Sequence, residues 1–179
     1  TSRQAASRQA QASSGKLTRP PAASPTVDTP ASFHPVITRL LTMPPVQAMQ
    51  LRFAGFDADA LCLAAPLAAN VNDKGCAFGG SLTSVMTLAA WALLSMRLED
   101  AGHRADVYVQ DSSVRYLAPL YGDLHARAWL EDGQTWNEVL DAFAAKGKSR
   151  ARMEAEIRDP AGTLCCTFSG RFVALAPRD

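Results

Sequence analysis

Residues 70–97, NVNDKGCAFGGSLTSVMTLAAWALLSMR, decide the fold. The stretch begins as a polar loop, passes through Gly79-Gly80, and has no charged residue between Lys74 and Arg97. At 100° per residue, a predicted helix places small, hydroxyl-bearing and tryptophan side chains on one face, namely Gly80, Thr83, Ser84, Thr87 and Trp91. The opposite face carries Leu82, Val85, Met86, Ala89, Leu93 and Met96.

Three interpretations of this helix compete. It is long enough to span a bilayer, for which about 20 apolar residues suffice. Its first turns, however, are diluted by glycine, serine and threonine, and no second such stretch exists, so the sequence favours a helix buried inside a globular domain. The third interpretation adds chemistry to the second. Gly79 and Gly80 leave the first backbone N–H groups uncovered, and such groups bind a carbonyl oxygen or an anion.

Composition narrows the class of protein. A chain of 179 residues predicts one domain with a substantial core. A net charge of +1 gives no electrostatic reason to expect binding to nucleic acid or to a membrane surface. None of the three histidines lies in a metal-ligand pattern, so no metal is expected. The four cysteines also lack metal spacing, which favours reduced thiols in a cytoplasmic protein: Cys62, Cys76, Cys165 and Cys166.

Residues 1–32 differ in composition from the rest. They are rich in Ala, Ser, Gln, Arg and Pro, with almost no large apolar side chain. Such a segment cannot offset its own ordering entropy, so it is predicted to be a disordered N-terminal tail. It also lacks the apolar run of a secretory signal. The folded domain is expected to cover residues 33–179.

The remaining chain alternates between inward and outward side chains, as antiparallel sheets with one solvated face do. Predicted strands cover residues 48–56, 60–66, 106–117, 124–130, 150–158 and 163–175. Predicted flanking helices cover residues 34–43, ended by Pro44-Pro45, and 135–146, begun by a capping box. The prediction is an α+β fold with one curled antiparallel sheet wrapped around the long central helix.

Two motifs resemble the hotdog-fold thioesterases. Residues 72–80, NDKGCAFGG, are similar to the family pattern N-x-x-G-x-x-H-G-G. Residues 115–119, RYLAP, followed by Gly122-Asp123, are similar to its aromatic-x-x-Pro and Gly-Asp/Glu signature. More narrowly, the chain resembles thioesterases of the YiiD C-terminal-domain type over residues 35–175.

This resemblance implies a homodimer, possibly a dimer of dimers, whose sheets pair edge to edge. It implies an acyl-thioester site where the helix start of one subunit meets the long helix or third strand of the other. The implied substrate is an acyl-CoA or acyl-carrier-protein thioester. Coenzyme A or the carrier protein is then part of the substrate, and no separate cofactor is expected.

The central loop supplies the first candidate site residues. The N–H of Gly80, with Gly79, is expected to polarise the thioester carbonyl, and glycine allows its close approach. Asn72 matches the loop asparagine that orients water or the carbonyl in the family; its alternative role is to cap the loop. Asn70 and Lys74 are substrate-binding candidates with weaker support.

The chain departs from the family pattern at two positions. Phe78 replaces the histidine, and Thr87 stands where many relatives carry a catalytic acid on the helix. Threonine cannot act as a general base at neutral pH, so Thr87 could only position a water. The carboxylate would then be Asp73 or Asp111. Burial at a dimer seam would raise the pKa of Asp111, whereas a solvent-facing or cross-strand-paired Asp111 would be structural.

Other side chains have two interpretations each. Ser84 is expected to hydrogen-bond the substrate, and Trp91 either shapes an acyl tunnel or belongs to the core. The basic run Lys146, Lys148, Arg150 and Arg152 either binds phosphates of coenzyme A or an acidic carrier protein, or is a solvated strand face.

The leading functional prediction is an acyl-thioesterase. Its alternative is an acyl-thioester binding module without turnover, which the Thr87 replacement favours. A hotdog dehydratase or hydratase is less favoured, because the central loop and helix have no histidine.

Overall fold

The computed structural model describes residues 34–177, so the expectation of a disordered tail over 1–32 lies outside the described residues. The helices are α1 (Pro35–Thr42), α2 (Pro44–Ala48), α3 (Gly79–Asp100) and α4 (Trp136–Lys146). The strands are β1 (Arg52–Asp57), β2 (Ala60–Ala65), β3 (Asp106–Tyr116), β4 (Leu124–Leu130), β5 (Lys148–Arg158) and β6 (Leu164–Leu175).

The segment before β1 differs from the prediction. Pro44 and Pro45 end α1 as expected, but they also begin the short helix α2, because the fixed φ of proline suits a first helical turn. A turn with a positive φ of 53° at Gln50 then follows. The strand predicted from residue 48 therefore begins only at Arg52.

The central helix α3 forms the core of the molecule. The face predicted to be apolar is buried, and Val85, Met86 and Ala89 have no exposed surface. The opposite stripe of small and hydroxyl-bearing residues is only partly buried. Length and composition would allow α3 to cross a membrane, but 61% of its most apolar window is buried inside the fold. Gly102, with φ of 80°, follows its end, as glycine often does after a helix.

The six strands form one antiparallel sheet in the order β1-β2-β4-β5-β6-β3. The sheet curls around α3, which packs against β2, β3, β4, β5 and β6. Alternation in β5 matches the prediction: Ala151, Met153, Ala155 and Ile157 are buried against the helix, and Lys148, Arg150 and Arg152 face outward. The predicted α+β architecture of a curled sheet around one long helix is confirmed.

The outer helix α4 lies between β4 and β5. The predicted capping box is present, with the Thr135 hydroxyl accepting from the Glu138 N–H and the Glu138 carboxylate accepting from the Thr135 N–H. Gly147 ends the helix in the left-handed conformation. Strand β5 then begins at once, two residues earlier than predicted, so the C-terminal turn of α4 and the first residues of β5 share one corner of the molecule.

Candidate functional site

The start of α3 is held in place by the loop before it. The N–H of Ala77 donates to the Leu120 carbonyl at 2.8 Å, and the N–H of Phe78 donates to the Asn70 carbonyl at 2.7 Å. Phe78 is the N-cap residue, and its side chain makes no capping hydrogen bond. The N–H groups of the first helical turn, at Gly79 and Gly80, therefore keep their donor capacity at the positive end of the dipole.

Aromatic rings flank both glycines. A Cβ built on Gly79 would lie 3.3 Å from the ring of Tyr116, and one built on Gly80 would lie 2.3 Å from the ring of Phe78. Phe78 is 55% exposed, so its ring lies at the surface directly beside Gly80. A side chain at either position would displace one of these rings, and glycine avoids this while it leaves access to the backbone N–H groups.

Tyr116, the last residue of β3, ties that strand to the helix start. Its hydroxyl lies 2.7 Å from the Thr83 hydroxyl and 3.1 Å from the Gly79 carbonyl oxygen. Thr83 itself donates to the Gly79 carbonyl at 3.0 Å. The three groups form one small network that fixes the first turn of α3 against the end of β3.

The half-exposed stripe of α3 continues from this network. The Thr87 hydroxyl donates to the Thr83 carbonyl at 2.8 Å, a bond to the preceding turn. Ser84 lies on the same stripe and is partly buried. Trp91 packs against the core and donates its indole N–H to the Val107 carbonyl at 3.0 Å, so it joins the stripe to the beginning of β3.

The loop asparagines have local partners. The Asn72 side-chain oxygen accepts from the N–H of Lys74 at 2.8 Å and of Cys76 at 3.3 Å, which is the loop-capping role. Asn70 is 3% exposed and donates to the carbonyls of Met49 and Pro66. Asn70 therefore joins α2 to the end of β2 beneath the helix start, and a catalytic role for Asn72 stays a prediction.

Neither candidate carboxylate lies in a buried pocket. Asp73 is exposed and pairs with its neighbour Lys74 at 2.8 Å. Asp111 is exposed on β3, where the Arg171 side-chain Nε donates to both of its oxygens at 3.0 and 2.8 Å. This guanidinium lowers the pKa of Asp111 instead of raising it. The expected upward shift is wrong for the single chain, because the strand edge is open to solvent and a cation faces the acid.

The structure thus brings together part of the predicted site. Phe78, Gly79, Gly80 and the stripe of α3 form one surface, whereas Asp73 and Asp111 are bound elsewhere. Within residues 34–177, no carboxylate hydrogen-bonds to any group of residues 78–87. Nor do the described residues contain a group of three or more His, Cys, Asp or Glu placed to hold a metal ion.

A thiol lies near this surface but is not reactive. Cys166 pairs in the sheet with Tyr116, and burial raises the pKa of its thiol to about 11. Because the thiolate is the nucleophile, Cys166 is protonated near neutral pH and unsuited to attack a thioester.

Residues 39–176 match the sequence profile of the family described as "Putative thioesterase (yiiD_Cterm)". The chain belongs to this thioesterase family. The match covers the helix start, the open strand β3 and the inserted helix α4, so all parts of the surface described above lie within the family domain.

Solved structures agree with this assignment. A protein of unknown function from Chlorobaculum tepidum is 29% identical, with a TM-score of 0.73, over 79% of this chain and 93% of that one. A "putative thioesterase" from Shewanella oneidensis is 28% identical, with a TM-score of 0.68, over 79% and 98%. A Pseudomonas aeruginosa protein at 20% identity, with a TM-score of 0.67 over 79% and 94%, supports the fold alone. The hotdog fold implied by the sequence motifs is confirmed.

Tyr116 contacts the helix start but was not among the predicted site residues. The sequence motif of the third strand included it only as a mark of the thioesterase family, without a role in the site. An exposed aromatic residue at the end of a strand, directly before the turn at Ala118-Pro119, was the available signal. Its contact with Gly79 depends on the strand reaching the helix start, and the sequence alone does not give that distance.

Proposed function

We propose that the chain hydrolyses acyl-CoA or acyl-carrier-protein thioesters as a homodimer. The observation that supports this proposal most strongly is the start of α3, where two glycines present backbone N–H groups beside an exposed surface. In hydrolysis, water attacks the carbonyl carbon, the carbon–sulfur bond breaks, and a carboxylic acid and a thiol are released. The N–H of Gly80 stabilises the negative oxygen of the tetrahedral intermediate; one such donor contributes about 3 kcal/mol.

The dimer is formed through β3 in this proposal. The strand has eleven residues, most of them exposed, and it pairs on one side only, with β6. Its exposed large apolar side chains include Tyr108, Val109 and Tyr116. Long open edges of this kind pair with another strand. A two-fold axis through the edge pairs β3 with its own copy in antiparallel fashion and continues the sheet.

The second copy also supplies what the single chain lacks. Antiparallel pairing sets the first half of the partner's β3 beside the helix start, and that half ends near Asp111. Held ionised by Arg171, Asp111 accepts a hydrogen bond from the attacking water and orients it towards the carbonyl. Asn72, Asp73 and Lys74 line the entrance, and Ser84, Thr87 and Trp91 contact the acyl chain along the stripe.

The cellular setting belongs to the same proposal. All four cysteines are free, and three of them are buried. Free thiols persist in a reducing compartment, which supports a cytoplasmic enzyme of acyl-thioester and fatty-acid metabolism. Dimers could associate further into a dimer of dimers through the outer face of the sheet.

One observation favours a second candidate, an acyl-thioester binding module without turnover. The hydroxyl of Thr87, at the position of the catalytic acid in many relatives, is used in a bond to its own helix. Such a module would bind acyl-CoA with saturation and release no thiol.

The deciding experiment measures thiol release from short- to long-chain acyl-CoA and acyl-carrier-protein thioesters. Gly80→Val places a side chain against the Phe78 ring and in front of the N–H groups, so turnover should fall about 100-fold. Gly122→Ala is the matched control, because its new methyl meets only ordinary contacts at 3.9 Å. A rate of thiol release that is unchanged by Gly80→Val would contradict the proposed oxyanion donor. Binding without release supports the second candidate.

A further inference from the structure

The corner shared by α4 and β5 contains a cavity that the helix-start site does not use. Its volume is about 310 Å³, and it is lined by Ala142, Lys146, Lys148, Ser149 and Arg150. A larger depression of about 560 Å³ adjoins it, since its lining includes Gly147 between the two lysines. That depression reaches the beginning of β3 at Asp106 and Tyr108.

The cations of this corner lack counter-ions. Within residues 34–177, no carboxylate lies within 4 Å of the charged groups of Lys146, Lys148 or Arg150. Arg152, the next outward residue, already pairs with Glu131 at 3.4 Å. Three uncompensated positive charges around one concave surface produce a local attraction for anions that the net charge of +1 conceals.

Alternation along β5 brings two of these cations together. Lys148 and Arg150 are exposed on the outward face of the strand, whereas Ser149 between them is 4% exposed and lies on the inward face. The lysine and arginine side chains therefore lie on the same side of the sheet, where both line the same cavity.

We propose that this corner binds the phosphate groups of coenzyme A, the end of the substrate opposite the thioester. The inference rests on the proposed function and assigns the coenzyme A form of its substrate. Lysine and arginine supply charge-assisted hydrogen bonds to phosphate oxygens. The adjoining depression gives the flexible arm of coenzyme A a path from the β3 edge to the corner.

The position of the corner decides which active site it serves. Gly79 lies at the Tyr116 end of β3, whereas Lys148 is in register with Leu175, which is in register with Asp106 at the other end. Ten residues of strand separate these ends, about 33 Å. In an antiparallel β3 pair that sets Asp111 of one copy beside Tyr116 of the other, the Tyr116 end of the second copy would instead lie three strand spacings across and five residues along from Lys148, about 22 Å. The corner of one subunit therefore serves the helix start of the other.

Binding is tested first, because it does not require turnover. Calorimetry with coenzyme A and with adenosine 3′,5′-bisphosphate compares the wild type with a Lys148→Gln/Arg150→Gln variant. Affinity for both probes should fall at least tenfold in the variant. Arg158→Gln, which removes one positive charge at the other end of β5, should bind within twofold of the wild type. Equal binding by the wild type and the corner variant would overturn the proposal. Displacement of coenzyme A by an equal concentration of inorganic phosphate would also overturn it.

Kinetics then separate the corner from the proposed function. For one acyl group, the corner variant should raise KM about tenfold on the coenzyme A thioester with kcat unchanged, and leave the pantetheine thioester unaffected. A KM effect confined to the carrier-protein thioester overturns the coenzyme A assignment in favour of an acidic protein surface. If no thioester is hydrolysed, the proposed function fails while the calorimetry still decides the corner.

Mixed dimers test the assignment between subunits. One subunit carries Gly80→Val with an intact corner, and the other carries the corner variant with an intact helix start. Co-expressed as a mixture, they should form heterodimers with one complete site and the wild-type KM for the coenzyme A thioester. If the heterodimers instead hydrolyse the thioester only with the raised KM of the corner variant, the corner does not serve the helix start of the other subunit.

Discussion

The two edges of the sheet are built differently. Strand β1 has six residues, and its pairing with β2 is interrupted between Phe53 and Gly55, where glycine adopts a φ of 99°. Strand β3 has eleven residues and is exposed over most of its length. Natural sheets usually protect their edges by short strands and bulges. Edge β1 is protected by its short length and this irregularity, whereas β3, which also has a register shift between Val109 and Asp111, still leaves a longer row of backbone groups for another strand.

This difference connects assembly with chemistry. The open edge ends at Tyr116, which contacts the glycine start of α3. Within residues 34–177, no hydrogen bond joins strand β1 to that start. An edge that pairs with its own copy thus brings a second chain directly to the candidate site. Three substitutions test the contrast.

The largest effect is expected from Val109→Asp on β3. Val109 is 46% exposed on the open edge, so the new charge lies on the strand that pairs with the second copy, and charged side chains oppose such pairing. The dimer should dissociate at micromolar concentration, with thioester turnover at least 100-fold lower. Light scattering measures the mass. Phe56→Asp, a similarly exposed position on β1, should leave mass and turnover unchanged; an equal loss there would refute the contrast between the edges.

A smaller effect is expected from Tyr116→Phe. The variant keeps the ring over Gly79 and loses the hydroxyl that meets Thr83 and the Gly79 carbonyl. Loss of one net hydrogen bond costs about 1 kcal/mol, so kcat should fall about fivefold with the dimer intact. Tyr121→Phe is the control, since Tyr121 is 68% exposed and its hydroxyl has no partner among residues 34–177. Equal kcat in both variants would remove Tyr116 from the site.

The smallest effect is expected from Asp111→Asn on stability. Arg171 holds the pKa of Asp111 below its ordinary value, so the stabilisation is complete above the unfolded-state pKa of about 3.9. It is lost as the pH falls through the lower folded-state pKa. Near pH 7 the variant should lower the urea midpoint by less than about 0.5 M, and the difference should disappear in acid.

A matched comparison uses the other edge. Asp59→Asn alters an acid in the turn between β1 and β2, where the carboxylate lies 3.4 Å from Arg97 and is 91% exposed. Its urea midpoint should equal that of the wild type. A midpoint difference for Asp111→Asn that persisted unchanged into strong acid would show that the ion pair is not its cause.

Local patterns account for what the sequence predicted well. The charge-free run after Gly80 predicted α3, the alternation in β5 predicted its buried face, and the Thr135–Glu138 spacing predicted the capping box. Each of these signals lies within a few residues of chain. The family pattern at residues 72–80 located the helix start for the same reason.

Contacts between distant residues account for what it missed. Asp111 is paired with an arginine 60 positions later, and this partner reverses the expected pKa shift. Tyr116 meets Gly79 across 37 positions. The pairing of β3 with β6 produces the first contact, and the packing of β3 against α3 produces the second. Inward–outward alternation predicts which face of a strand is buried, but it does not predict which elements lie beside that strand.

The strand order also has a consequence for synthesis on the ribosome. Strand β3 joins the sheet only through β6, the last strand of the domain. Until β6 leaves the exit tunnel, β3 has no partner and the apolar helix α3 lacks part of its cover. Between the synthesis of β3 and that of β6, the nascent chain therefore carries an unpaired strand and an incompletely covered apolar helix. We expect chaperones that bind exposed apolar segments to act during this interval.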